Sequence, residues 1–305
     1  MGIHSCLVTT LMLVSCLAIY FFIIATERTT QQWYSNFFAG KNSANHHLVT
    51  IVTAYYSIPS KFADERYYEW IPNFLKIKDP VVVFTDKQNA KKIRMLAKPK
   101  LNIRIQIKPL TSTYISSLFP RSTWEQQLQN DLEKDKHKSF FLYWVWHEKS
   151  AFLKEVSLSN PFNSTAFAWV DIGAFRTDFF INKQVFSRAT SRFLSSSSHI
   201  VLLNVKNLLS NNHTEAEMHG NSEIYLGGGI FAGNVSGIQR WNDNYYHQIK
   251  LWEQKGWFIG KDQPIMSKTC EQAASLCHII QAKFTYGDPW FYLLHVFHRS
   301  MLEEE

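Results

Sequence analysis

A chain of 305 residues can bury a large core, and 46% hydrophobic against 19% charged residues exclude a mostly disordered protein. The formal charge of +7 is spread along the sequence, and no run of Lys or Arg is dense enough for a nucleic-acid groove. The richest stretch, KQNAKKIR from Lys87 to Arg94, reads as a solvated helix face, so no nucleic-acid partner is expected. A mild positive balance suits anionic substrates or a membrane surface.

In chain order, residues 1–6 form a short tail. Leu7 to Ala25 is an uncharged apolar stretch of nineteen residues. As a helix it would span ~28 Å, close to the hydrocarbon thickness of a bilayer. Phe21 to Ile24 occupy the place where a cleaved signal peptide needs small residues, so 7–25 reads as a retained transmembrane signal anchor. The flanking charges are too few to set its orientation. Residues 26–46 read as a polar stem. From His47 the pattern changes, and residues 47–305 read as one domain.

Within it, buried strands are expected at 48–55, 80–85, 102–107, 165–170 and 199–205. Helices are expected at 67–77, 89–97, 124–134, 141–158, from about 237 to 254, and at 265–274. The β-branched apolar runs lack a polar alternation, which suits strands covered on both faces. Their order implies an α/β fold, a twisted, mainly parallel sheet with helices on both faces. The polar stretch 210–222 reads as a loop and GGGIFAGN (Gly227 to Asn234) as a glycine-rich turn. Three N-x-S/T sequons fall at Asn163, Asn212 and Asn234, about as many as chance gives.

Candidate chemistry is sparse. In NPFNSTAFAWVDIGAFR (Asn160 to Arg176) a lone carboxylate, Asp171, follows a buried strand. That is a poor place for packing and a good one for chemistry, because open α/β sheets bind ligands beyond the carboxyl ends of their strands. An Asp before a turn is also common for structural reasons alone. GGGIFA formally fits the dinucleotide fingerprint but lies too late in the chain and opens no helix directly, which excludes an NAD site. Its glycines, Gly228 and Gly229, offer close backbone approach and N–H groups to phosphate or sugar hydroxyls. Lys261-Asp262-Gln263 supplies a carboxylate and an amide that read hydroxyls, or Asp262 simply caps the helix that follows. His295 and His298 share a helix face, without a third ligand at fixed spacing.

Cys270 and Cys277 are the only cysteines beyond the anchor region. On one continuous helix their Cα atoms would lie ~10 Å apart, too far to bridge, so either the helix breaks between them or they are free thiols. No G-x-S-x-G, H-E-x-x-H or Walker motif occurs, which weakens hydrolase and NTPase readings.

VTIVTAYYSI, Tyr68-Glu69-Trp70, PVVVFTD, the segment around Asp171, GGGIFAGN and KDQ, in that order, resemble the HtrL/YibB-like family over roughly residues 48–290. More distantly, the chain is similar to glycogenin-like glycosyltransferases of the GT-A fold. There Asp171 matches the metal-binding D-x-D region, Ile230 to Gly233 the glycine turn and Asp262-Gln263 the D-Q element. The D-x-D is reduced to Asp171-Ile172-Gly173, and the late motif keeps only Phe284 to Trp290 without its metal-binding His.

The resemblance implies a GT-A-like nucleotide-diphospho-sugar transferase fold. It also implies a glycosyltransferase that moves a sugar from a nucleotide-sugar donor to a glycan, glycoprotein or glycolipid acceptor. The alternative is an inactive relative that binds the same ligands. Asp171 would hold Mn²⁺ or Mg²⁺ or the ribose, Asp262 would orient the sugar or act as base, and Gln263 would read hydroxyls. Arg176 or Lys261 would stabilise the leaving group, with Gly228 and Gly229 beside it, while Thr53 and Tyr56 would cradle the base. With the anchor, this places the protein in the Golgi as a single-pass type II membrane protein.

Overall fold

The structure, a computed structural model, describes residues 48–60, 62–97, 100–205, 226–283 and 288–299. The expected anchor at 7–25, the stem, the loop at 210–222, Asn212 and residues 284–287 lie outside them. Among the described residues no helix is long and apolar enough to cross a membrane.

The strands are β1 (Val49–Tyr55), β2 (Val81–Thr85), β3 (Ile103–Ile107), β4 (Ala166–Val170), β5 (Ile200–Asn204), β6 (Leu226–Gly233) and β7 (Cys277–Gln281). The helices are α1 (Asp64–Phe74), α2 (Lys87–Ala97), α3 (Tyr114–Leu118), α4 (Arg121–Asn130) and α5 (Lys134–His137), followed by α6 (Phe141–Ser159), α7 (Arg188–Ser196), α8 (Val235–Gln254), α9 (Asp262–Gln272) and α10 (Tyr292–Arg299). The strands form one sheet in the order β3-β2-β1-β4-β6-β5-β7. Pairing is parallel except where β6 runs antiparallel between β4 and β5.

Side chains on a strand alternate between faces, so a strand buried on both must be apolar at every position. Ile51, Val83, Ala168 and Leu203 enter one core with Ile71 and Phe74 of α1, Ile93 of α2 and Leu293 of α10. Val52, Phe84, Trp169 and Leu202 enter the other, with Phe152 of α6, Trp241 and Trp252 of α8, and Ile265 of α9. The mixed α/β sheet covered on both faces is thus the expected one.

Several features differ from the sequence reading: the helix expected at 124–134 breaks after Asn130 into α4 and α5, and α3 and α7 were not expected. GGGIFAG is no turn: it is β6, a central strand whose glycines let other groups crowd against it. The helix expected at 265–274 starts earlier, at Asp262, and Lys261 is its cap residue. It ends at Gln272, and a short 3-10 turn, Ala274–Leu276, leads into β7. That break brings the Cα atoms of Cys270 and Cys277 to 5.7 Å, and the two are bridged. The strand β7 itself was not anticipated.

Two sequons are described. Asn163 is exposed in a left-handed turn at φ 53°. Asn234 instead caps α8: its Oδ1 accepts the Gly237 N–H at 2.9 Å, and its Nδ2 donates to the Ser195 carbonyl at 3.2 Å.

The bridge closes a short loop, a sequence separation of 7. On the chain-entropy view that is worth roughly 2–3 kcal/mol. Urea unfolding of a Cys270→Ser/Cys277→Ser variant is expected to show a loss of this order; stability equal to wild type would mean that the cross-link does not form.

Candidate ligand-binding site

The strand order fixes where a ligand can enter. β1 pairs with β2 on one side and β4 on the other, so the chain's crossovers leave in opposite directions at their shared end. This is the switch point at which open α/β sheets form a crevice. A cleft of about 140 Å³, open to solvent on one side, lies there, lined by Ala54 to Tyr56 at the end of β1 and Asp171 to Gly173 after β4.

Its walls are aromatic. Tyr67 and Trp70, three apart on α1, share a helix face and pack edge-on at 5.8 Å. Phe62 meets Trp70 at 5.4 Å, and Tyr55, Tyr56, Trp146, Trp169 and Phe291 add further rings to the lining, which Lys149 also borders. Arg176 stands at the rim. Its guanidinium lies 5.0 Å from the Trp70 ring and 4.9 Å from Phe291, and it donates to Asp288 Oδ2 at 2.7 Å.

Asp171 is the floor. Its side chain keeps 38% exposure. Trp169 Nε1–H donates to Oδ1 at 2.8 Å, and Lys149 Nζ sits 3.3 Å from the same oxygen. Both contacts land on Oδ1, which leaves Oδ2 beside Gly229.

Lys149 comes from the middle of α6 and its side chain is only 6% exposed. Its ammonium donates to the Gly228 carbonyl at 2.9 Å and to Asp262 Oδ2 at 3.1 Å. Three N–H groups thus meet three acceptors. The Gly228 carbonyl is free for this because the β5–β6 register slips: Leu202 faces Phe231 but Leu203 faces Gly227. Burial by itself would lower the Lys149 pKa; Asp171 and then Asp262 outweigh it and hold the ammonium above its ordinary value.

The structure brings together Asp171, Tyr56 and Arg176, all of which line the cleft. The other residues singled out in the sequence stand elsewhere. Asp262 is 1% exposed, does not line the cleft and reaches it only through Lys149; its Oδ1 has no hydrogen-bond partner among the described residues. Gln263 is half-buried outside the lining. Lys261 is buried against Glu133, whose carboxyl it pulls down to about 2. Thr53 is fully buried within β1, away from the lining. Gly228 and Gly229 are strand residues between the two aspartates. His298 bonds the Gln184 carbonyl at 2.9 Å, and His295 packs 5.9 Å from the Phe179 ring. Among the described residues no three His, Cys, Asp or Glu side chains converge on a metal position.

Lys149 itself was missed. The signal was present: α6 is apolar along most of its length, and His147-Glu148-Lys149-Ser150 sweeps about 300° of it, so part of that polar run had to be buried.

The chain matches over residues 47–299 the family described as "Bacterial protein of unknown function (HtrL_YibB)". The chain belongs to that family. No curated protein matches it. Among solved structures, this HtrL/YibB member is similar to core-mannan synthase A from Aspergillus fumigatus, solved in its Mn/GDP form. Identity is 12% over 84% of this chain and 87% of that one, with a TM-score of 0.46.

A Cβ added at Gly228 would lie 2.5 Å from Asp262 Oδ2, whereas at Gly229 it would meet Asp171 Oδ2 and Phe291 at an ordinary 3.4 Å. Gly228→Ala must push a buried carboxylate off Lys149, and urea unfolding is expected to show a loss of about 3 kcal/mol. Gly229→Ala is expected to cost well under half of that.

Glu148, next to Lys149, accepts the Tyr114 and Ile115 N–H groups at 3.0 and 2.8 Å. Burial raises its carboxyl from 4.5 to about 7. The folded state therefore holds a proton that the unfolded state has released. The stability this brings is complete below pH 4.5 and is lost as pH rises through 7. Buried His147, lowered to about 4, acts oppositely between pH 4 and 6.5. Comparing wild type with Glu148→Gln cancels it: from pH 4.5 to 8 wild type is expected to lose up to ~3 kcal/mol relative to the variant. A pH-independent difference in urea titrations would refute this.

Proposed function

We propose that this chain binds a nucleotide sugar in the cleft at the β1–β4 switch point and transfers the sugar to a glycan, glycoprotein or glycolipid acceptor, as a GT-A-like transferase. The observation that carries the reading is the cleft itself: a part-exposed carboxylate at the switch point, aromatic walls, and one guanidinium at the rim. Aromatic faces take a base or the apolar face of a sugar. Tyr56 contributes part of the lining from a largely buried ring, and Asp171 Oδ2 would accept hydroxyl hydrogens. Arg176 is the cation within reach of a phosphate, where negative charge grows as the glycosidic bond breaks. Asp262, Gly228 and Gly229 serve as the frame behind Lys149 and Asp171, while Lys261, Gln263 and Thr53 take no part in the cleft.

The residues present do not fit the expected Mn²⁺ or Mg²⁺. Such ions need several oxygen ligands. Here the two nearby carboxylates share an ammonium, so no step is assigned to a metal.

We place the domain in the lumen of the Golgi, held by a type II anchor at 7–25. The Cys270–Cys277 bridge supports an oxidising compartment. A second reading, binding without turnover, is favoured by one observation: Asp262 is sealed behind Lys149, so it cannot serve as a base.

Thermal stability of the full chain against UDP, GDP, CMP and their sugars tests the reading. A ligand at a hundredfold its Kd adds ~2.7 kcal/mol. A nucleotide-selective shift that Asp171→Asn abolishes is expected; no shift with any of them, in a folded protein, overturns it. Release of free nucleotide in the presence of acceptor glycans then separates transfer from mere binding.

A further inference from the structure

The geometry points to Lys149 as a built-in cation that stands in place of a divalent metal, so that Asp171 meets its ligand directly, as an acceptor of sugar or ribose hydroxyls. This deepens the nucleotide-sugar reading and rests on it for the ligand, but not for the metal.

The two carboxylates nearest one another at this end of the sheet are Asp171 and Asp262, and a metal held by both would need the space between them. That space is filled. Lys149 Nζ lies 3.3 Å from one carboxylate and 3.1 Å from the other, and its third hydrogen bond goes to the Gly228 carbonyl at 2.9 Å. The ammonium cannot swing away into solvent, because its side chain is buried on a helix packed against the sheet. A divalent ion arriving at Asp171 would face this fixed positive charge at close range, and would find no third carboxylate, His or Cys among the described residues.

What remains at the cleft floor is one carboxyl oxygen, Asp171 Oδ2; burial raises the pKa of this carboxyl, and the Lys149 ammonium opposes that and favours the carboxylate. Its partner oxygen is pinned by Trp169 and Lys149, so the carboxylate plane is set before a ligand arrives. A carboxylate in this state only accepts hydrogen bonds, and hydroxyls on a ring are donors that fit it. The aromatic walls supply the stacking faces that such a ring requires. Lys149 also borders the cleft, but its three N–H groups are already committed to Gly228, Asp171 and Asp262, so it acts on the ligand through Asp171 as a positioning residue.

The experiment has two independent arms on the full-length protein. In the first, Mn²⁺ is titrated into ligand-free wild type, Asp171→Asn and Lys149→Ala, with bound metal read by electron paramagnetic resonance. Wild type and Asp171→Asn are expected to take up the same amount. Lys149→Ala, with two uncompensated carboxylates, is expected to bind at least tenfold more tightly. Mn²⁺ bound by wild type and lost in the near-isosteric Asp171→Asn overturns the inference, whether or not Lys149→Ala folds and whether or not any ligand is found.

In the second arm, the thermal shift given by nucleotides and nucleotide sugars is compared in EDTA and in Mn²⁺. A shift of equal size in both, abolished by Asp171→Asn, is expected; one that appears only with Mn²⁺ overturns the inference. A shift with the nucleotide alone identifies ribose hydroxyls as the donors, and one seen only with the nucleotide sugar identifies those of the sugar. No shift at all removes the nucleotide-sugar reading and leaves the first arm to decide.

Discussion

One ammonium group ties the structure together. Lys149 projects from α6 and is met by the bulged strand β6, by the first residue of α9 and by the aspartate that ends β4. A buried charge is tolerable only when its partners are all in place, and removing one partner commonly costs several kcal/mol. The four elements are therefore fixed relative to one another more strictly than apolar packing alone would require. Gly228 belongs to the same constraint, since any larger residue there would occupy the position of the Asp262 carboxylate.

The constraint reaches the cleft through Asp171. The strand order brings that residue to the switch point, and Trp169, two residues back on the same face, donates to the oxygen that also faces Lys149. The aromatic side of the cleft is built separately, by α1 and the segment before it. Arg176 links the two: it lies against Trp70 and Phe291 while bonding Asp288. A rigid anionic floor and an apolar wall thus meet across one opening, an arrangement suited to ring-bearing ligands rich in hydroxyls.

Much of this was legible in the sequence. Strands buried on both faces announce themselves as unbroken apolar runs, and VTIVTAY, VVVFT and AFAWV are of that kind. Asp171 stood out because a carboxylate directly after such a run is hard to explain by packing. GGGIFAG misled, because glycine signals a turn locally, whereas here its lack of a side chain makes room for charged groups from α9 and the β4 end. Asp262 was noticed for the right proximity and the wrong reason: sequence spacing cannot tell a residue that faces a cleft from one that faces the cation behind it. Lys149 was passed over because a single Lys on a helix is ordinarily solvated. Only the polar run His147 to Ser150, winding around an otherwise apolar helix, hinted otherwise. The Cys270–Cys277 pairing depended on where α9 stops, and helix ends are the least certain part of any sequence reading.

The cap of α8 has a consequence for covalent decoration. An N-linked glycan is attached through the Asn side-chain nitrogen, and in Asn234 that atom is already turned inward to the Ser195 carbonyl while its oxygen holds the first turn of α8. A glycan there would have to unseat the helix that carries Trp241 and Trp252 into the core. Asn163, exposed on its left-handed turn, has no such conflict. Of the two sequons among the described residues, alike as text, only Asn163 is placed to carry a sugar on the folded domain.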